Sequence, residues 1–154
     1  MSDIDIPAGF SAFPLDGSFN DVFAPLYMAL DDNGPRIGLR VQKHHLNPMG
    51  MVHGAVYMGL LDIAFASSVG YNIGKFTGTP TISIDLNYMA PSKEGEWLYT
   101  DTQCLKTTAT MGFVMGSVRG DDGIKVSAKG VFKLPADLAA AEGFTVEEVM
   151  ALSR

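Results

Sequence analysis

Cysteine is almost missing from this chain. Cys104 is the single one in 154 residues, so no internal disulfide can form and the fold must rest on its apolar core. Basic residues are also few: 11 Lys and Arg face 17 Asp and Glu, for a formal net charge of -6. That balance argues against a nucleic-acid partner and against docking on an anionic membrane. Charge of either sign is thin, at 18% of residues, where soluble domains usually carry about a quarter. With 47% hydrophobic residues, nine Met and nine Phe, this implies surface buried beyond the monomer, by subunit contacts or by ligand. The N-terminal segment MSDIDIPAGF lacks a basic stretch followed by an apolar run, so no signal peptide is expected. The most apolar stretch, residues 54–74, is interrupted by Asp62, Ser67, Ser68 and Asn72, which disfavours a membrane span. A cytoplasmic location is the expectation. Repeats and low-complexity segments are missing too. The adjacent His44 and His45 lack the further ligands of a metal set, so no metal or cofactor is expected.

What is present reads as one domain over residues 1–154, a length that can bury a sizeable core. Residues 1–22 form an arm of isolated apolar residues among Gly, Pro, Ser and Asp, expected to lie irregularly on the body. Residues 25–30 look extended, and Asp31-Asp32-Asn33-Gly34 is a turn signal, Asn-Gly being suited to positive φ. Ile37, Leu39 and Val41 then alternate with Arg36, Arg40 and Gln42, completing a hairpin. Residues 44–52 read as a loop. From Ala55 to about Tyr71 there is no Pro and no alternation, and large apolar residues fall on every side, as in a buried helix. Gly74 can end it. Thr81 to Tyr88 alternates strictly, and residues 97–106, 111–119 and 124–133 read as three further strands. Lys93-Glu94-Gly95 and Gly120-Asp121-Asp122-Gly123 are the turns expected to join them as a meander. Residues 135–154 form a C-terminal helical extension, with Thr145 and Glu148 spaced as a capping box. A fully apolar helix needs a surface to wrap it, and a curved antiparallel sheet from the same chain can supply one. The class is α+β, in the hotdog arrangement of one long central helix inside a curved antiparallel sheet.

The chemistry concentrates between Asn47 and Asp62. Asp62 is the only formal charge between His53 and Lys75, on an apolar helix where a carboxylate is costly unless paired, hydrogen-bonded or set in a cleft. It reads equally as a structural acid or a functional one. Gly54 stands at the expected helix N-terminus, where free N–H groups and the dipole can hold an anion or a carbonyl oxygen becoming negative. It reads otherwise as a plain turn glycine. Eight positions separate the two, roughly 12 Å along one helix. If both act on one carbonyl, they must come from two subunits, so the catalytic reading expects a dimer with shared sites.

The element Asn47-Pro48-Met49-Gly50-Met51-Val52-His53-Gly54-Ala55, with an acid nine residues after the His, resembles the signature of the PaaI-like hotdog thioesterases. The likeness extends from about Leu26 to Lys133 and includes Leu86-Asn87-Tyr88-Met89-Ala90-Pro91. It implies a homo-oligomer, a dimer or dimer of dimers, that hydrolyses acyl-CoA without a metal. It implies Asp62 as nucleophile or general base, and the Gly54 N–H as donor to the thioester carbonyl. Asn47 would place water or thioester, His53 would orient the loop, and Thr81 would orient water, with Ser83 as the alternative register. Ala55, Met58, Phe65, Ser83 and Met89, with Tyr57, would line the acyl site, or equally belong to the core. Two departures stand out: Ala55 replaces a usual Gly and adds a methyl near the carbonyl, and Thr107-Thr108-Ala109-Thr110 replaces a Gly-Arg type turn. Lys43, Lys106 and Arg119 are the substitutes for contacts to the CoA phosphates, and each also reads as plain surface charge. The rival readings are a non-catalytic binder of acyl-CoA or aromatic ligands, and a hydroxyacyl-thioester dehydratase.

Overall fold

The apolar alternation seen in the sequence sets the concave face of the sheet. In the computed structural model, which describes residues 5–152, the elements in chain order are β1 (Ser11–Ala12), a 3-10 turn (Phe19–Phe23), β2 (Leu26–Asp31), β3 (Gly34–Arg40), a second 3-10 turn (Lys43–His45), α1 (Gly54–Asn72), β4 (Lys75–Thr77), β5 (Thr81–Tyr88), β6 (Trp97–Thr107), β7 (Met111–Gly120), β8 (Gly123–Lys133), β9 (Gly143–Thr145) and α2 (Val146–Leu152). Seven strands form one antiparallel sheet in the order β1-β2-β3-β6-β7-β8-β5, and β4 pairs with β9 separately. Ile37, Leu39 and Val41 are buried, as their spacing requires. At the β2–β3 turn the positive φ falls on Gly34 (+95°) and not on Asn33.

The helix α1 lies across the concave face, which is the expected hotdog arrangement. Leu60, Leu61, Phe65 and Val69 have no exposure and pack toward Leu39, Leu98, Val118 and Phe132. By length and composition α1 could cross a membrane, but here 56% of its most apolar window is buried inside the fold. His53 caps its start and Gly74, at φ +81°, follows its end. The helix is not covered on every side as expected. Ala55 and Met58 are exposed and Gly59 and Asp62 half-buried, so one stripe at helical spacing opens to a cleft.

The expected meander is corrected in one place. Lys93-Glu94-Gly95 does not join neighbouring strands, because β5 pairs with β8 while β6 pairs with β3. The first hairpin leaves the edge of β3 open, and β6 takes it at Gly38↔Tyr99 and Arg40↔Trp97. That sends β5 to the far edge. A turn signal bends the chain locally but does not choose the strands that flank it. Gly95, at φ +87°, instead donates its N–H to the Val41 carbonyl (2.9 Å).

The arm is more ordered than its composition suggests. Ser11 and Ala12 pair with Met28 and Tyr27, and the 3-10 turn packs on α1. Its first four residues lie outside the described residues. At the other end the extension contains β9 as well as a helix, and the Thr145–Glu148 capping box forms with bonds of 2.7 and 3.2 Å. Residues 153 and 154 of that extension lie outside the described residues.

Candidate active site

Asp62 faces the cleft opened by the bare stripe of α1. Thr81 Oγ1 donates to Asp62 Oδ1 at 2.6 Å, which fixes one carboxylate oxygen. The register of β5 shifts between Thr81 and Ser83 against β8. Such an irregularity re-aims side chains at a strand end, and here Thr81, Ile82 and Ser83 all line the cleft. Its volume is about 650 Å³, and its opposite wall is the 3-10 turn, through Phe19, Asn20, Val22 and Phe23. That turn can seat on α1 because residue 59 is glycine: a Cβ there would overlap the Phe23 ring.

A second groove, of about 320 Å³, opens at the start of α1 and is lined by Asn47, Met51, Gly54, Tyr57, Tyr88 and Met89, among others. His53 Nδ1 accepts the Ala55 N–H (3.0 Å) and the His53 carbonyl accepts the Val56 N–H (2.9 Å). The Gly54 N–H has no acceptor among the described residues, so the helix start presents a free donor into this groove. Tyr88 Oη donates to the Gly54 carbonyl at 3.1 Å and holds the glycine against β5. Asn47 Oδ1 accepts the N–H groups of Met49 and Met51 (2.9 and 3.2 Å), so this side chain folds the loop ahead of the helix. The groove's outer wall is pinned from behind by Lys125, whose side chain is 2% exposed. Its Nζ donates to the Pro91 carbonyl (3.1 Å) and pairs with Asp122 (2.6 Å) and Glu96 (3.3 Å). Burial pulls the Lys125 ammonium down, but the two carboxylates outweigh it and hold the group above its ordinary value. Burial pushes the Tyr57 phenol up, which keeps it protonated.

The structure therefore divides the expected residues between two places. Asp62, Thr81, Ser83, Ala55 and Met58 share one cleft, while Gly54, Asn47 and Met89 line the other. His53 acts through its cap on α1. Phe65 is a correction: it has no exposure and meets Phe132 edge-to-face at 6.3 Å, so it belongs to the core and lines neither cleft. No Lys or Arg lines either cleft among the described residues. Arg119 is 3.8 Å from Asp101, and Lys43 and Lys106 lie elsewhere. Cys104 is half-buried on β6, and burial pushes its thiol up, away from nucleophilic use. His44 and His45 bond the carbonyls of Ala24 (2.8 Å) and Phe23 (3.1 Å) and so tie down the end of the arm's turn. Because His45 Nδ1 accepts the Gln42 N–H, its proton sits on Nε2. Burial, and then His44, lower its pKa. No group of three or more His, Cys, Asp or Glu is placed to hold a metal among the described residues. Sequence reasoning missed the arm's contribution, Phe19 to Phe23, and the Tyr88 bond to Gly54. The spacing of Phe19, Val22 and Phe23 was the one available signal for a turn with an apolar face.

Comparison with known proteins bears on the fold and the family. A family model described as the thioesterase superfamily matches residues 49–127, which span the Gly54 loop, α1 and β5. Acyl-coenzyme A thioesterase 13 of Mus musculus is 28% identical over 94 residues, covering 60% of this chain and 65% of that protein. Among solved structures, zebra fish thioesterase superfamily member 2 superposes with a TM-score of 0.70 at 19% identity, over 78% of this chain and 88% of the other. A variant of the phenylacetic acid degradation protein PaaI from Thermus thermophilus gives 0.64 at 17% identity, over 71% and 93%. At these identities the structural likeness speaks for the fold.

Proposed function

Since the family match covers more than half of its length, the chain belongs to the thioesterase superfamily, and on that premise we propose that it hydrolyses an acyl-CoA thioester to a free acid and CoA at a site shared by two copies. The observation that carries this reading is the pairing of a cleft carboxylate, Asp62 of α1, with a cleft hydroxyl, Thr81 of β5, while the free N–H donor at the start of α1 belongs to a different groove. One chain holds both halves of a hydrolytic site but cannot bring them together, because Gly54 and Asp62 stand eight positions, roughly 12 Å, apart on one rigid helix.

The free edge of β5 supplies a way to join them. This strand runs eight residues, pairs only with β8 among the described residues, and leaves Ile82 and Tyr88 each 54% exposed. Such an edge is a template for pairing with another chain. Thr81, at one end of β5, contacts Asp62, and Tyr88, at the other end, contacts Gly54. Antiparallel pairing of two β5 strands about a twofold axis lays the Thr81 end against the Tyr88 end. Each Asp62 cleft then abuts the groove of Gly54 of the partner subunit.

In that site the thioester carbonyl accepts the Gly54 N–H of the partner subunit, where charge develops on its oxygen. Thr81 engages Asp62 Oδ1, leaving Oδ2 without a partner among the described residues for the reaction. Asp62 either takes a proton from the attacking water and returns it to the departing CoA sulfur, or attacks the carbonyl itself, expelling CoA and forming an acyl anhydride with Asp62 that water then hydrolyses to the free acid. CoA leaves as the thiol. Asp62→Asn is the test, scored by free thiol released from a panel of acyl-CoAs. Turnover should fall about 10²–10⁴-fold, the share of a positioned acid–base group, with the mutant still folded by circular dichroism. A mutant as fast as the wild type would remove Asp62 from the chemistry.

A further inference from the structure

We infer that the arm's 3-10 turn is the selectivity wall of the acyl site, and that it admits an uncharged, bulky apolar acyl group through contacts of Phe19 and Val22. This deepens the hydrolytic reading and rests on it for the identity of the ligand. The turn is built to stay in place. Phe23 is buried over the bare backbone of Gly59, His45 and His44 hold the Phe23 and Ala24 carbonyls, and Asp21 accepts the Gly17 N–H at 2.8 Å. On this fixed base Phe19 stands 75% exposed and Val22 52% exposed, both facing the Asp62 cleft. Across the gap Met58 and Ile82 are 48% and 54% exposed.

Four large apolar side chains left open around one carboxylate form a patch that calls for an apolar ligand. The volume of about 650 Å³ lies within the range of small-molecule sites, roughly 300–1,000 Å³. An acetyl group would leave these side chains wet, whereas a ring or a medium chain would cover them. Charge sharpens the choice. Asp62 is the only charged residue lining the cleft among the described residues, so an acyl group ending in a carboxylate meets a like charge and no cation from them.

The experiment compares wild type with Phe19→Ala on acetyl-, succinyl-, decanoyl- and benzoyl-CoA. It measures kcat/KM and, in parallel, calorimetric affinity in the Asp62→Asn background. Wild type should favour decanoyl- and benzoyl-CoA over acetyl- and succinyl-CoA. Phe19→Ala should lower kcat/KM for the bulky pair by about tenfold or more, as lost pocket contacts do, and change acetyl-CoA less than twofold. A wild type without this preference, or a mutant that weakens all four substrates alike, overturns the inference while leaving the hydrolytic reading intact. If no thioester is cleaved at all, the hydrolytic reading fails and the affinities decide: selective loss of decanoyl-CoA binding in Phe19→Ala sustains the wall, and equal binding overturns it. A change in oligomer size by light scattering, with selectivity unchanged, would make Phe19 a subunit contact and overturn it as well.

Discussion

Replacing Gly54 by proline removes one N–H at a position where a helix tolerates its loss. Gly54 is the first residue of α1, and His53 before it is already extended, at φ -64° and ψ 137°. Proline is favoured at a first helical position and demands an extended predecessor, so α1 should persist. What disappears is the donor assigned to the thioester carbonyl. Loss of one such donor costs about 2.7–4 kcal/mol of transition-state stabilisation, or roughly 10²–10³ in kcat. Gly54→Ala is the control, since it keeps the N–H. Its Cβ would stand 3.3 Å from Tyr88 Oη, so the phenol must yield by a few tenths of an ångström. That crowding should cost about 1 kcal/mol, less than tenfold in rate. The assay is steady-state thiol release from the best acyl-CoA, with thermal unfolding to confirm that both variants fold. Equal activity of the proline and alanine variants would refute the role of the Gly54 N–H.

Two further outcomes follow from the packing. Gly59→Ala gains about 1 kcal/mol of helix propensity, but its Cβ overlaps the Phe23 ring, an overpacking that costs about 1–3 kcal/mol. Overpacking should win, so Tm should fall in differential scanning calorimetry, and Phe23→Ala in the same chain should offset part of the fall. A rise in Tm on Gly59→Ala alone would mean that the arm is not seated as described. His45 is 1% exposed, neutral, and lowered in pKa by burial and then by His44. The unfolded chain therefore binds the proton more readily, and His45's contribution is complete above its ordinary value of 6.5. It is lost progressively as pH falls below 6.5 toward the lowered folded value. Urea midpoints measured from pH 8 to 5 should drop on the acid side, and His45→Gln should flatten that drop.

The sequence made the apolar framework legible and left the non-local choices hidden. Ile37, Leu39 and Val41 announced a buried strand face, and the unbroken run from Ala55 announced the central helix, because burial imposes its period on local sequence. Asp62 stood out because no other charge shares that helix. The partner of β5 was not legible: strand pairing depends on which edges remain open, and the turn at Lys93 to Gly95 looked the same either way. The bare stripe of α1 was hidden for a related reason. An apolar helix carries no mark of the side the sheet fails to cover, so Phe65, in the core, and Met58, at the cleft, read alike. The arm was read as irregular because Gly, Pro, Ser and Asp separate its isolated apolar residues, while its seating depends on contacts with Gly59 and His45 far along the chain.

A mixed-subunit experiment probes the shared site most directly. Chains carrying Asp62→Asn are co-expressed with chains carrying Gly54→Pro, and the mixed dimer is isolated by two affinity tags. If the carboxylate and the N–H donor come from different copies, one of its two sites is wholly wild type, and thiol release should recover to about half the wild-type value, as twofold symmetry requires. A mixed dimer no more active than either parent would contradict the account.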